Sequence, residues 1–115
     1  TGDYREYYPD GTLKTEIFIQ KGKPEGTYAI YFPSGKIQEI RSYKGGRFHG
    51  TWRTYSENGV MLSHAQYVND KKDGEWIIWN EKGVKLYEMH YDNGKRVGTW
   101  KMWDEDGHLV SEKPY

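Results

Sequence analysis

The sequence contains no cysteine, which excludes disulfides, thiolate metal sites and a cysteine nucleophile. It also lacks an excess of charge of either sign, because 17 Lys and Arg residues balance 17 Asp and Glu residues. This balance argues against a nucleic-acid binder that works through bulk positive charge. No apolar run approaches the roughly 20 residues of a transmembrane helix, and no signal-peptide segment is present. We therefore expect no nucleic-acid partner, no metal site and no cofactor.

Aliphatic residues are scarce, and aromatic residues take over part of their role. Leu, Ile, Val and Phe together account for 19 of 115 residues, and the mean hydropathy is −1.05. The chain instead carries 5 Trp, 11 Tyr and 3 Phe, and each such side chain can bury about 150–250 Å². This composition predicts a folded chain with a thin, aromatic core.

Glycine recurs at a strict interval along the chain, and other residues recur in phase with it. If the first glycine of each repeat is position 0, a second glycine stands at position 9, and large aromatics stand at positions 2 and 5. The first glycines are Gly2, Gly26, Gly50, Gly74 and Gly98. Position 17 holds Ile19, Tyr43, Tyr67, Tyr91 and Tyr115. These phases divide a single domain, 1–115, into repeats 2–25, 26–49, 50–73, 74–97 and 98–115.

Each repeat carries a turn signal at positions 8 and 9, such as Asp10-Gly11 or Asn58-Gly59. A second one follows at positions 19 and 20, such as Asn93-Gly94. Asn-Gly and Asp-Gly are typical of two-residue hairpin turns in which both residues take positive φ. The segments between turns are rich in aromatic and β-branched residues and show no sustained helical spacing. The fold class predicted is all-β: a single-layer antiparallel β-meander or solenoid of five 24-residue β-hairpin repeats, with about ten strands.

The turns also predict a register and two faces. A two-residue turn at positions 8 and 9 makes paired positions sum to 17 within a hairpin, and adding the repeat length of 24 gives a sum of 41 across the next turn. Positions 2, 4, 6, 11, 13, 15 and 17 then share one face, which we take as the inner side of a twisted sheet. Position 5 lies on the other face and forms what we call the outer row. The outer row consists of Tyr7, Tyr31, Tyr55, Trp79 and Trp103, and an exposed line of aromatics is a candidate binding surface.

Charge is segregated although its total is zero. Positions 19–23, in the turns between repeats, sum to +4, whereas positions 6–10, in the turns within repeats, sum to −4. One long edge is therefore predicted to be basic and the opposite edge acidic. The candidate binding residues of the basic edge are Lys44, Arg47, Lys71, Lys72, Lys95 and Arg96. These edges either steer a partner or are simply solvated turns.

No arrangement typical of catalysis occurs in the sequence. The four histidines occupy four different repeat positions, and no G-x-S-x-G nucleophile motif is present. Glu16, Glu88 and Glu112 share a repeat position, but an open sheet offers no cleft between paired carboxylates. We therefore expect no catalytic residue and predict that the chain is not an enzyme.

The repeated unit G-x-[WY]-x-x-[YW]-x-x-x-G resembles MORN repeats. It is most similar to the bacterial MORN-variant repeat, found in proteins labelled as antitoxin components of toxin–antitoxin pairs, and the resemblance covers all five units. The resemblance implies an elongated single-layer array of hairpins that contacts proteins or lipids. The eukaryotic form has more glycines per unit than this sequence, which weakens the expectation of phospholipid binding.

These observations predict a non-enzymatic protein-interaction scaffold, antitoxin-like or associated with the cell envelope. The alternative is a carbohydrate- or cell-wall-binding repeat protein, although wall-binding hairpin repeats are shorter than the repeat of this chain. An anionic lipid surface is a further alternative partner. The end repeats lack polar capping variants, so we expect either more repeats or a homo-oligomer formed through edge strands. Because the first residue is Thr1 rather than Met, we expect a processed protein or a fragment; the sequence leaves its compartment open.

Overall fold

The computed structural model describes residues 1–115 and consists of β-strands joined by short turns. The strands are β1 (Gly2–Tyr7), β2 (Leu13–Gln20), β3 (Lys23–Tyr31), β4 (Ile37–Lys44), β5 (Arg47–Tyr55), β6 (Met61–Val68), β7 (Lys71–Lys72), β8 (Gly74–Trp79), β9 (Lys85–Asp92), β10 (Lys95–Arg96), β11 (Thr99–Trp103) and β12 (Leu109–Pro114). The structure contains no helix with the length and apolarity that crossing a membrane requires.

All strands belong to one open antiparallel sheet, which confirms the predicted meander. The strand order is β1-β2-β3-β4-β5-β6-β8-β9-β11-β12, while β7 pairs with β6 and β10 pairs with β9. β7 and β8 both pair with β6, and β10 and β11 both pair with β9. Each of these is one strand that a bulge divides into a short first part and a longer second part. The sheet measures 45 × 31 × 13 Å, so it is one layer thick, and its longest dimension matches ten strands about 4.8 Å apart.

The register within each hairpin is the predicted one except next to the turn. Tyr4 pairs with Ile17, as the sum of 17 requires, but Tyr7 pairs with Leu13 because Lys14 forms a one-residue bulge. The same shift recurs in the other four hairpins. An extra residue inverts the alternation of side chains beyond it. The prediction for position 11 was therefore wrong, and these residues lie opposite the outer row on its own face: Leu13, Ile37, Met61, Lys85 and Leu109.

The turns within repeats also differ from the prediction. The Gly11 backbone N–H donates to the Tyr8 carbonyl at 2.9 Å, and the turn closed by this hydrogen bond has Pro9 and Asp10 as its central residues. Of these residues only Gly11 has positive φ, at 90°. This is the pattern of a type I turn followed by a left-handed glycine, the arrangement that accompanies a bulged hairpin, rather than a two-residue mirror-image turn. The second glycine of every repeat occupies this position.

The turns between repeats are the two-residue turns that were predicted, with positive φ at both central residues. They are Lys21-Gly22, Gly45-Gly46, Asn69-Asp70 and Asn93-Gly94. Away from the turn the register is also as predicted, since Ile17 pairs with Tyr28, but Ile19 pairs with Pro24. Two extra residues therefore bulge from β3 around Gly26, whose φ is 79°. Because the number of extra residues is even, the faces stay in phase across this bulge.

Neighbouring turns on the basic edge are joined by a repeated hydrogen bond. The side chain at position 23 accepts the backbone N–H of a turn residue 20 positions later. The pairs are Glu25 with Gly45 (2.5 Å), His49 with Asn69 (3.4 Å) and Asp73 with Asn93 (3.0 Å). These acceptors stack successive turns along the edge, and the two carboxylates are thereby turned toward backbone amides.

The predicted thin aromatic core takes an unusual form, because no second layer covers either face. Only five residues are buried: Thr15, Ile17, Ala29, Ser56 and Ala65. The face expected to be the inner side of a curled sheet carries instead a line of rings that pack against one another. The sheet is therefore held by its backbone hydrogen bonds and by cross-strand side-chain contacts rather than by an enclosed interior.

Replacement of Gly74 by Ala is expected to destabilise the sheet more than replacement of Gly83 by Ala. Both glycines have positive φ (76° and 82°), which costs an alanine about 1–2 kcal/mol. A Cβ at Gly74 would also meet the Gln66 amide oxygen, whereas nothing lies within 4 Å at Gly83. To make room, Gln66 would have to give up the hydrogen bond that its Oε1 accepts from the Glu75 backbone N–H at 3.0 Å. This loss adds about 1 kcal/mol to the destabilisation.

Urea unfolding of the two variants measures this difference. The Gln66→Ala background is the control, since the extra loss at Gly74 should largely disappear there. Equal losses for both glycines in the native background would contradict the role of Gln66.

Candidate functional site

A continuous line of nine aromatic rings runs across one face of the sheet, and we call it the ring ladder. It consists of Tyr28, Tyr43, Phe48, Trp52, Tyr67, Trp76, Tyr91, Trp100 and Tyr115. Neighbouring ring centroids are 4.8–6.3 Å apart, within the range in which aromatic pairs attract one another. Positions 2 and 17 meet in this way because hairpin pairing brings them to adjacent strands on the same face. The sequence prediction that these positions share a face is confirmed.

One repeat position carries a different side chain in each of the second, third and fourth repeats. Phe48, Lys72 and Arg96 each lie one repeat further along the chain and follow the turns between repeats. Phe48 stacks on the rings around it, with centroids 5.0–5.5 Å away. In the next repeat the Lys72 ammonium lies 4.6 Å from the Trp76 ring centroid and 5.1 Å from that of Tyr91. Arg96 lies 5.2 Å and 5.6 Å from the next two rings of the ladder, so both cations extend it by cation–π contact.

A half-buried ion pair supports the ladder in the second and third repeats. The Arg41 guanidinium lies between two rings, 5.3 Å from the Tyr28 centroid and 4.9 Å from that of Trp52. Glu39 accepts from Arg41 Nη2 at 2.7 Å and from Trp52 Nε1 at 2.8 Å. Because the carboxylate binds both groups, it fixes the indole orientation and neutralises the guanidinium. Sequence reasoning assigned no role to Arg41.

The six residues predicted for the basic edge are all exposed, and the structure divides them into two groups. Lys44, Arg47, Lys71 and Lys95 flank the turns between repeats. Lys72 and Arg96 instead lie over the ring ladder, as described above. The ladder and the basic edge are therefore one continuous surface. The carboxylates on this edge that accept backbone amides do not pair with these lysines, and none of the six residues forms an ion pair within the chain.

The outer row lies on the opposite face, nearer the turns within repeats. Tyr7 is 57% exposed, and the other four rings are half-buried. Each ring is directly opposite a position-11 residue, and the Lys85 ammonium lies 5.3 Å from the Trp103 ring centroid. The structure thus places the outer row on a separate face from the ladder and the basic edge. Its role in binding stays a prediction.

The three hollows on the surface are shallow, and two of them have a mostly apolar lining. One, of about 190 Å³, lies between Trp52 and Trp76 and is also lined by Thr54, Ser63, Ala65 and Ile78. A second, of about 290 Å³, surrounds Trp100 near the last strands and is lined by Met89, Met102 and Lys113 among others. A third lies among turn residues of the first repeats and has no apolar lining. None of them gathers the histidines and carboxylates of the sequence into one group.

The titratable residues serve local contacts on separate strands. Glu88 accepts from Lys85 Nζ at 2.8 Å and lies 3.3 Å from His90 Nε2, and its pKa is lowered mainly by the hydrogen bond from Lys85. Asp104, Asp106 and His108 lie close together in an exposed turn. Asp104 there accepts the backbone amides of the other two at 2.9 Å, and these bonds lower its pKa. This cluster is explained by the turn that it closes.

Sequence reasoning missed the residues that join the ladder to the edge. Phe48, Lys72 and Arg96 share a position in the 24-residue repeat, but no common residue type marks it. Glu25 and Asp73 were counted as charges of the edge, whereas they act as acceptors for backbone amides. The position of Phe48, Lys72 and Arg96 and that of Glu25 and Asp73 are both visible when the repeats are aligned. The contacts that these side chains make depend on bulges that the sequence does not reveal.

Comparison with protein families finds one match, which recurs along the whole chain. A family model described as MORN repeat variant matches residues 1–21, 24–44, 48–69, 72–93 and 96–115. These five segments follow the five repeats of the structure. Comparison with curated proteins finds no match.

The pKa of His64 is expected to lie below its ordinary value of 6.5. Burial and the charge of Arg53, whose Nε donates to His64 Nδ1 at 3.1 Å, lower this pKa, and Glu75 opposes them. Folding therefore favours neutral His64, so this contribution to stability is complete above pH 6.5 and is lost as the pH falls through the pKa of the folded state. Titration of the imidazole protons by NMR measures the pKa.

Arg53→Met should raise this pKa toward 6.5, whereas Glu75→Gln should lower it further. Shifts in the same direction in both variants would contradict the electrostatic cause.

Proposed function

The chain belongs to the MORN repeat variant family, whose repeats are non-enzymatic modules that bind proteins or membranes, and we propose that it is a protein-interaction scaffold. Its partner lies across the strands, along the ring ladder and the basic edge. The binding residues of this proposal are the rings of the ladder, which are half-buried except at Tyr115, together with Lys72 and Arg96 over these rings, and Lys44, Arg47, Lys71 and Lys95 beside them.

One observation carries the proposal: the ladder and the basic edge are continuous, and no other part of the chain covers them. An extended patch of large aromatic side chains on the surface is typical of an interaction site. Tyr, Trp and Arg are also the residues that contribute most to protein–protein binding. The regular advance of about 10 Å per repeat suits an elongated partner, as in other repeat arrays.

The charge distribution favours a protein over an anionic membrane. A sheet that lies flat on a membrane brings both long edges to the lipid surface. The edge formed by the turns within repeats is acidic, with Asp10, Glu57, Glu81 and Asp106 among its residues. Repulsion there offsets the attraction of the basic edge. A protein partner can contact the basic edge and the ladder alone.

The resemblance of the repeats to those of antitoxin-labelled bacterial proteins supports a narrower class of partner. We propose a toxin-type protein or a component of the cell envelope. A second candidate function is carbohydrate binding through the outer row, because that row presents one ring per repeat on a face of its own. Retention on peptidoglycan or polysaccharide that soluble sugar competes away, and that Trp79→Ala and Trp103→Ala abolish, would establish this second function instead.

Charge reversal on the basic edge is expected to slow association with the partner. In Lys71→Glu/Lys95→Glu, both substitutions are at exposed positions next to turns and away from the rings, so the fold should persist. The matched control is Lys36→Glu/Lys82→Glu, which changes the net charge equally on the opposite edge. We expect the first variant to lower the association rate about tenfold at low ionic strength, and the control to change it little.

The partner is first identified by cross-linking and mass spectrometry of the full chain in extracts of its native source. Association is then measured with that purified protein by stopped-flow or surface binding. Equal rates for both variants would contradict electrostatic steering by this edge. Absence of any protein that binds the full chain would overturn the scaffold function itself.

A further inference from the structure

A row of side chains crosses all five repeats on the face of the ring ladder. Residues at position 2 alternate in this row with residues at position 15 of the neighbouring strands. The row reads Tyr4, Ile17, Tyr28, Arg41, Trp52, Ala65, Trp76, Met89, Trp100 and Lys113. Aromatic side chains therefore stand two strands apart, about 10 Å, and the position-15 residue decides what lies between them.

Ala65 is the one short side chain among the position-15 residues. The others are Ile17, Arg41, Met89 and Lys113, and Arg41 shows how a long side chain occupies such a gap, with its guanidinium about 5 Å from both ring centroids. Ala65 is 8% exposed and forms the floor of the hollow between Trp52 and Trp76. We call this hollow the Ala65 slot.

The slot suits a single apolar side chain. Its volume of about 190 Å³ is below the roughly 300–1,000 Å³ of small-molecule sites. Thr54 Oγ1 and Ser63 Oγ, the two hydroxyls that line it, are hydrogen-bonded to each other at 2.5 Å. The rest of the lining consists of Trp52, Ala65, Trp76, Ile77, Ile78 and His64, whose Nδ1 already accepts from Arg53 Nε at 3.1 Å. A polar occupant would thus lose hydration without gaining a charged partner.

The charges around the slot favour an acidic segment. Arg41, on the far side of Trp52, is neutralised by Glu39. Lys72 over Trp76 and Arg96 farther along the ladder form no ion pair within the chain. A cationic occupant would be repelled by these groups, whereas carboxylates beside the occupant would be attracted to them.

We propose that the Ala65 slot binds a methionine side chain from an acidic segment of a partner protein. Methionine is long, flexible and polarisable, and its sulfur makes favourable contacts with aromatic rings. The chain itself places Met89 at the equivalent position one repeat later. The proposal rests on the protein-interaction function and names the chemistry of the segment that this part of the ladder recognises.

Capped pentapeptides test the slot directly. The first has a central methionine, glycines on both sides and a glutamate at each end. Three others replace the methionine by alanine, the methionine by arginine, or both glutamates by lysines. Binding is followed through the ¹⁵N indole signals of the full chain, assigned with Trp→Phe variants. The expected result is a saturable shift of the Trp52 and Trp76 signals by the first peptide, with Trp79 and Trp103 on the other face unaffected.

The alanine and lysine peptides are expected to bind at least tenfold more weakly than the first peptide. Ala65→Met, which places at this position the residue that the next repeat has at Met89, should occupy the slot, and it should abolish the shifts without lowering the thermal unfolding temperature. Lys72→Glu is the second variant: it should remove the preference for glutamate over lysine while the preference for methionine over alanine remains.

Stronger binding by the arginine peptide would overturn the apolar occupant in favour of a cation. Unchanged binding in Ala65→Met, or no shift with any peptide, would overturn the slot altogether. These failures are distinguishable from failure of the scaffold function, because a purified partner would still bind the full chain and respond to charge reversal at Lys71 and Lys95.

Discussion

Hydrogen bonding between neighbouring strands is the constraint on which this structure depends. The chain forms 72 backbone hydrogen bonds, of which 56 lie within the strands, whereas only five residues are buried. A single-layer sheet cannot surround a side chain with other side chains from above. The rings therefore gain contact sideways, from the strands before and after them, and each aromatic pair contributes about 0.5–1.5 kcal/mol beyond the area it buries. The ring ladder takes the place of a hydrophobic core.

This mode of stabilisation joins fold and function on the same side chains. In a two-layer protein the residues that stabilise the sheet are hidden from a partner. Here Trp52, Trp76 and Trp100 both hold neighbouring strands together and form the surface that we propose for binding a partner. The backbone geometry recurs in every repeat, so one substitution per repeat changes the local chemistry without moving the frame. The series Phe48, Lys72 and Arg96 shows this at one repeat position, and the contrast between Arg41 and Ala65 shows it within the row.

Most of the fold could be predicted because its causes are local. The phase of glycines and aromatics led to five hairpins, and strand alternation placed Tyr67 and Trp76 on one face. The errors arose at the bulges. Leu13 was assigned to the wrong face because the extra residue at Lys14 leaves no mark in the sequence pattern. The turn at Asp10-Gly11 was given the wrong type because Asp-Gly fits both a two-residue turn and a type I turn with a following glycine.

The sequence by itself determined the repeat length, the number of hairpins, the alternation of rings and the opposite charge of the two long edges. Each of these follows from spacing along the chain, since hairpin pairing and side-chain alternation are set by near neighbours. Only the tertiary structure decided which cations lie over rings, which carboxylates hold adjacent turns, and that the gap above Ala65 is empty. Those features depend on the length and direction of side chains from three adjacent strands. Bulges set how far these side chains are displaced along neighbouring strands, and a repeat pattern does not contain this displacement.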